Sequence, residues 1–154
     1  MPKENQGIKG HVKFVLRDKD GNIKQEYEHH NTITVAMDAL VADQMSDGGE
    51  ASIGYMAVGT STGQTSASTA LAALIAGSNN ALTSTTQGTG GDDNDVIYVG
   101  DWAAGDGTGT ITEAGLFNVA ACTSGMMAYD DSMSIVKGAS DTLTITWTIT
   151  FGAS

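Results

Sequence analysis

At 154 residues the chain has the length of one domain, and a domain of this size buries roughly 70% of its unfolded surface. Apolar residues make up 40% and charged residues 16%, with Thr, Ser, Gly, Asn and Asp supplying the remaining polarity, a balance that excludes intrinsic disorder. The formal net charge of −11 excludes a nucleic-acid binder that grips phosphates with clustered cations, and no apolar run approaches the ~20 residues of a membrane-spanning helix.

The chain opens on Met1-Pro2-Lys3-Glu4-Asn5-Gln6, which lacks the apolar stretch of a secretory signal. Residues 1–7 are therefore expected as an extended arm ahead of a single domain over residues 8–154. Charge is unevenly spread. Lys3, Lys9, Lys13, Arg17, Lys19 and Lys24 stand against Glu4, Asp18 and Asp20, six cations to three acids, a local charge of +3. The rest of the chain sets Lys137 against 15 acids, a charge of −14. Such a basic start suits either docking on an acidic neighbour or a solvated strand face.

From Ile8 to Arg17 the alternation of Val12, Phe14 and Leu16 with Lys13 and Arg17 predicts a strand. Asp18-Lys19-Asp20-Gly21-Asn22 predicts a tight turn, and Ile23 to Glu28 the returning strand of a hairpin. The Asp-x-Asp-x-Asn spacing invites a calcium reading, but an EF-hand loop requires Gly at its sixth place and Glu at its twelfth. Here Gly21 is fourth and His29 is twelfth, so the segment is a turn.

Val35, Met37, Leu40, Val41 and Met45 recur at helical spacing, predicting a helix over residues 33–45, capped by Thr32 or Thr34 and ended by Gly48-Gly49. Ser52 to Val58 reads as a strand. Ser66 to Ala76 reads as a second, small-residue helix with Ser68 capping it and Leu71, Leu74 and Ile75 packing inward. Leu82 to Thr86 is expected as an edge strand, followed by a mobile loop over residues 87–95.

Strands then follow one another over residues 96–103, 109–120, 126–129, 133–137 and 142–151, separated by Gly, Asp and Ser. In the last, Leu143, Ile145, Trp147, Ile149 and Phe151 alternate strictly with Thr142, Thr144, Thr146, Thr148 and Thr150. One face buries large apolar groups at roughly 1.5–3 kcal/mol each; the other is a threonine ladder suited to water or a polar neighbour. Many short strands with one or two short helices predict an all-β fold, a β-sandwich, with a jelly roll among the arrangements that fit.

Residues that carry chemistry are sparse. His29 and His30 are adjacent on a strand and point to opposite faces, which keeps them from chelating one metal; His11 stands apart. Cys122 is the single cysteine, so an intrachain disulfide is excluded, and its small neighbours mark it as a buried side chain rather than a nucleophile. Glu113, set among apolar strand residues, reads as a carboxylate that accepts hydrogen bonds and fixes a strand crossing, in preference to a catalytic acid. Asp92-Asp93-Asn94-Asp95 reads as a solvated loop in preference to a cation site, and Tyr98, Trp102 and Trp147 as core in preference to a sugar platform. Gly59-Thr60-Ser61-Thr62-Gly63-Gln64 lacks the lysine of a phosphate loop, and no helix follows Gly105-Asp106-Gly107-Thr108-Gly109. No catalytic, cofactor-binding or metal-binding residue is assigned.

Four phrases in order resemble small virion structural proteins of tailed bacteriophages. They are Glu28-His29-His30-Asn31-Thr32-Ile33-Thr34; Tyr55-Met56-Ala57-Val58-Gly59-Thr60; Ile111-Thr112-Glu113-Ala114-Gly115-Leu116-Phe117; and Leu143-Thr144-Ile145-Thr146-Trp147-Thr148-Ile149-Thr150-Phe151. The resemblance implies a non-enzymatic structural role without catalytic residues or cofactors: a capsid decoration (cement) protein on the capsid surface, assembled in the host cytoplasm. Its partners would be the major capsid protein or other virion proteins, and itself as a homodimer or homotrimer, with no nucleic acid and no membrane. A tail or fibre component is the alternative in the same class, and a carbohydrate-binding host-adhesion module the alternative from another.

Overall fold

The computed structural model describes residues 6–153. β1 (Gln6–Arg17) and β2 (Ile23–Ile33) form the opening hairpin. Its turn is tied by Asp18, whose Oδ1 accepts the backbone N–H groups of Asp20 (2.9 Å) and Asn22 (3.0 Å), while Gly21 takes a left-handed φ of 84°. Helix α1 (Val35–Ser46) follows, then β3 (Tyr55–Gly59), β4 (Asn80–Ala81) and β5 (Ser84–Gln87). A single 3₁₀ turn over Gly90–Asp92 leads into β6 (Asp95–Trp102), β7 (Gly109–Ile111), β8 (Glu113–Phe117), β9 (Met126–Asp130), β10 (Ile135–Lys137) and β11 (Thr142–Ala153).

Nine strands join in the order β4-β3-β8-β9-β2-β1-β11-β6-β5, and β7 and β10 form a separate pair. The nine-stranded sheet curls on itself into an all-β, sandwich-like fold. β2 is the shared strand: Ile23 to Asn31 pair with β1, and Thr32 and Ile33 pair with Tyr129 and Ala128 of β9. β1 and β11 pair along their whole length, from Gln6 with Ala153 to Arg17 with Thr142.

The main core lies between the two layers. Val12, Phe14 and Leu16 meet Leu143, Ile145, Trp147 and Ile149 from the first layer, and Met56, Val58, Ala114 and Leu116 from the second. The strict alternation of β11 thus holds, although Phe151 at its end is only half-buried. The second layer is also covered on its far side, where Ala57, Phe117, Met126 and Tyr129 pack with Leu71 and Cys122.

Several expected boundaries shift for identifiable reasons. β1 begins at Gln6, so Gln6 and Gly7 belong to the sheet; the rest of the expected arm, residues 1–5, lies outside the described residues. The helix starts at Val35 because Asn31, Thr32 and Ile33 continue β2. Thr34 occupies the N-cap position, but its hydroxyl donates to the carbonyl of Met126 (2.7 Å) and makes no capping bond within the helix. Met37 and Leu40 face the core, whereas Val35 and Met45 are exposed. At the other end Asp47, left-handed at φ 56°, closes the helix ahead of the glycines.

The expected helix over residues 66–76 does not form. That segment is irregular, held by hydrogen bonds to other parts of the chain: Thr60 N–H to Ala73 O (2.9 Å), Ile75 N–H to Val58 O (3.0 Å) and Met126 N–H to Thr69 O (3.1 Å). Partners in β3, just after it and in β9 thus satisfy backbone groups that a helix would have satisfied internally. The expected strand over residues 109–120 is broken at Thr112, whose N–H and hydroxyl turn to the carbonyls of Gly59 (2.9 Å) and Ser61 (2.8 Å).

Candidate interaction surface

The outward side of the layer formed by β2, β1, β11, β6 and β5, the first layer, is a regular surface. Register places its side chains in rows. Lys9, Thr150 and Asp95 form one; His30, His11, Thr148, Ile97 and Thr86 the next; then Glu28, Lys13, Thr146, Val99 and Ser84; then Glu26, Val15, Thr144 and Asp101. β11 therefore runs up the middle as the threonine ladder, with β1 cations on one side and β6 residues on the other. Val15, Ile97 and Val99 belong to neither apolar core cluster, consistent with an outward position. Two rungs of the ladder are tied down, with Thr150 donating to Asp95 Oδ1 (2.6 Å) and Thr144 to Asp101 Oδ1 (2.7 Å). Between them Thr146 and Thr148 form no side-chain hydrogen bond among the described residues. Glu28 Oε1 lies 3.5 Å from His11 Nε2, and Glu26 Oε1 lies 4.0 Å from Lys13 Nζ, both pairs half-exposed; such pairs contribute ~0–1 kcal/mol.

The alternation of His29 and His30 is as expected. His30 stands outward against His11, ring centroids 5.8 Å apart. His29 points to the opposite face of β2, where it stays half-exposed beside Asp130 and Ser132. The Ser132 hydroxyl donates to Asp130 Oδ1 (2.8 Å) and sits at the ring edge, 3.1 Å from His29 Nδ1 and 3.4 Å from Nε2, while the same Asp130 oxygen lies 3.3 Å from Nδ1. A hydrolytic triad needs the carboxylate and the hydroxyl on opposite nitrogens, so that the imidazole can take the serine proton. Here the serine proton is directed to the aspartate. The cluster instead closes the sandwich edge, together with Tyr27 OH donating to Ser132 O (2.8 Å) and Gln25 Nε2 to Ser134 O (2.8 Å).

Glu113 is fully buried, and its Oε1 accepts the N–H of Ala73 (3.0 Å); it is the hydrogen-bond acceptor expected, but it holds the irregular segment after β3 rather than a strand crossing. Cys122 is buried, and burial pushes its thiol up to about 12, far from a nucleophilic thiolate at neutral pH. Trp102 and Trp147 are wholly buried and Tyr98 nearly so; Trp102 Nε1 donates to Ser78 O (2.8 Å). In the acidic run, Asn94 Nδ2 donates to Phe151 O (2.5 Å) and Asp95 serves Thr150. Among the described residues no group of three or more His, Cys, Asp or Glu side chains is placed to hold a metal.

Sequence reasoning missed two features. Lys137 is buried, donates Nζ to Ala103 O (2.9 Å), and is held below its ordinary pKa by desolvation, against the opposing pull of Asp106 and Asp141. The outward turn of Ile97 and Val99 was hidden because Val96-Ile97-Tyr98-Val99 is a continuous apolar run, the pattern of a strand covered on both faces. In comparisons with family models, with curated proteins and with solved structures, nothing matches this chain.

Proposed function

We propose that the chain is a non-enzymatic structural protein of a tailed-phage particle, acting as a capsid decoration protein that binds the outer capsid surface and stabilises the shell through protein–protein contacts. The observation that carries this reading is the outward face of β6, β11, β1 and β2: a wide, regular sheet surface of Thr, Val, Ile and paired charges, left open while the other layer is covered on both sides. A rigid sheet offers such a surface without the ordering cost that a flexible segment would meet on binding. The phrases that resemble virion proteins also sit at the centre of the architecture. Tyr55–Gly59 and Glu113–Phe117 are hydrogen-bonded neighbours, and Leu143–Phe151 lies within the central strand of the open face. Many copies, each held weakly, would stabilise a shell through avidity.

The test is cosedimentation of the purified chain with capsids that lack it, alongside a glycan-array screen. Saturable binding to capsids with a melting temperature raised by occupancy supports decoration. Binding to tails alone moves the chain to the tail or fibre, and glycan binding without capsid binding replaces the structural reading with host adhesion.

A further inference from the structure

We propose that the open face pairs with the same face of a second copy, across a two-fold axis that runs along β11 between Thr146 and Thr148. β1 and β6 flank β11 on either side, and their outward residues are unlike. β1 presents Lys9, His11, Lys13, Val15 and Arg17, and β6 presents Asp95, Ile97, Val99 and Asp101. Rotation about an axis along the central strand keeps each row in place and exchanges its two sides. Lys9 then lies over the partner's Asp95, the stem of Lys13 over the partner's Val99, and His11 over the partner's Ile97. Arg17, one row beyond Val15, lies within a side chain's length of the partner's Asp101. Each pairing occurs twice, as a two-fold interface requires.

The centre and the area fit this occupant. Thr146 and Thr148 would meet their own copies, hydroxyl to hydroxyl, where each can donate and accept. Thr144 and Thr150, the rungs on either side of them, are already bonded to Asp101 and Asp95. Across the axis β11 overlies itself for about nine residues, β1 overlies β6 for eight and β2 overlies β5 for four; at ~3.3 Å by ~4.8 Å each this gives a face of about 500 Å², near the ~600 Å² per partner at the small end of stable interfaces. Two twisted sheets packed face to face cross at about −30°, which an axis bisecting the two β11 directions provides.

This pairing and a capsid would compete for the same face, so the dimer is the form of the free chain; a free dimer that binds no capsid would uphold the pairing and sink the particle reading. Sedimentation velocity on the full chain at micromolar to sub-millimolar concentration should show a two-copy mass, and Thr146→Arg should shift it to one copy with the thermal midpoint of the monomer fold retained. Lys9→Glu should weaken the dimer at least about tenfold by setting like charges together, and adding Asp95→Lys in the same chain should restore it. In a Cys122→Ala background, Thr146→Cys should form an interchain disulfide on mild oxidation. A single-copy mass throughout, a trimer, or a dimer indifferent to Thr146→Arg and to both charge changes would overturn the proposal. A single-copy chain that still binds capsids through this face would overturn it while leaving decoration standing.

Discussion

Gly59 and Glu113 are register partners on β3 and β8, and the glutamate side chain folds back across the ladder into the space that a side chain at residue 59 would occupy. A Cβ on Gly59 would stand 2.5 Å from Glu113 Oε1 and 2.6 Å from Ala73 O. The glycine is thus required by close approach, and the carboxylate it admits pins the irregular segment after β3.

Gly59→Ala is expected to destabilise the fold by about 1–3 kcal/mol, the cost of overpacking a filled core. Adding Glu113→Ala should recover part of that loss, because one of the two clashing groups is removed. Urea unfolding of the single and double variants checks this; strictly additive losses would contradict the coupling.

The two tryptophans should respond differently to Phe. Trp102 Nε1 donates to Ser78 O (2.8 Å), whereas Trp147 Nε1 is buried without a partner among the described residues. Trp102→Phe leaves a buried carbonyl unpaired, a penalty of about 1–3 kcal/mol beyond the lost volume. Trp147→Phe loses volume alone. Trp102→Phe should therefore show the lower midpoint in denaturant.

Thr34→Val keeps shape but removes the donor to Met126 O (2.7 Å). A loss of about 1–3 kcal/mol is expected, with far-ultraviolet circular dichroism unchanged, since the hydroxyl holds β9 and makes no cap for α1. A fall in helix content at full stability would contradict this assignment.

Asp141 titrates below its ordinary value of 3.8 because Lys24 donates to its carboxylate and the Gly138 N–H adds a second bond. Its folded-state pKa is depressed, so its contribution is fully present above the unfolded value and is lost as pH falls through the folded one. Stability below pH 3.8 should therefore fall less steeply in Asp141→Asn than in the parent chain. Thermal midpoints measured across acid pH test this.

Legibility followed the range of the forces involved. β11 was readable because Leu143 to Phe151 alternate strictly and the burial that drives them is local to one strand. The opening hairpin was readable because Asp18 and Gly21 make its turn within five residues. The segment over residues 66–76 misled because Ala, Leu and Ser suit a short helix, while Glu113, Val58 and Met126, distant in sequence, hold its backbone otherwise. On the open face, the threonine column could be read directly. The placement of Lys9 opposite Asp95 could not, because it depends on β1 and β6 both choosing β11, from opposite ends of the chain.

The ladder from Gln6 with Ala153 to Arg17 with Thr142 also sets how the domain bears load. Gln6 and Ala153 lie side by side at one end of two antiparallel strands, whose hydrogen bonds run across the strand direction. Tension applied between these two residues would part β1 from β11 one rung at a time, like a zip. Force spread across the broad sheet face would instead load many rungs together. A fold built this way yields readily when pulled between Gln6 and Ala153 and resists when pressed or dragged across its flat side.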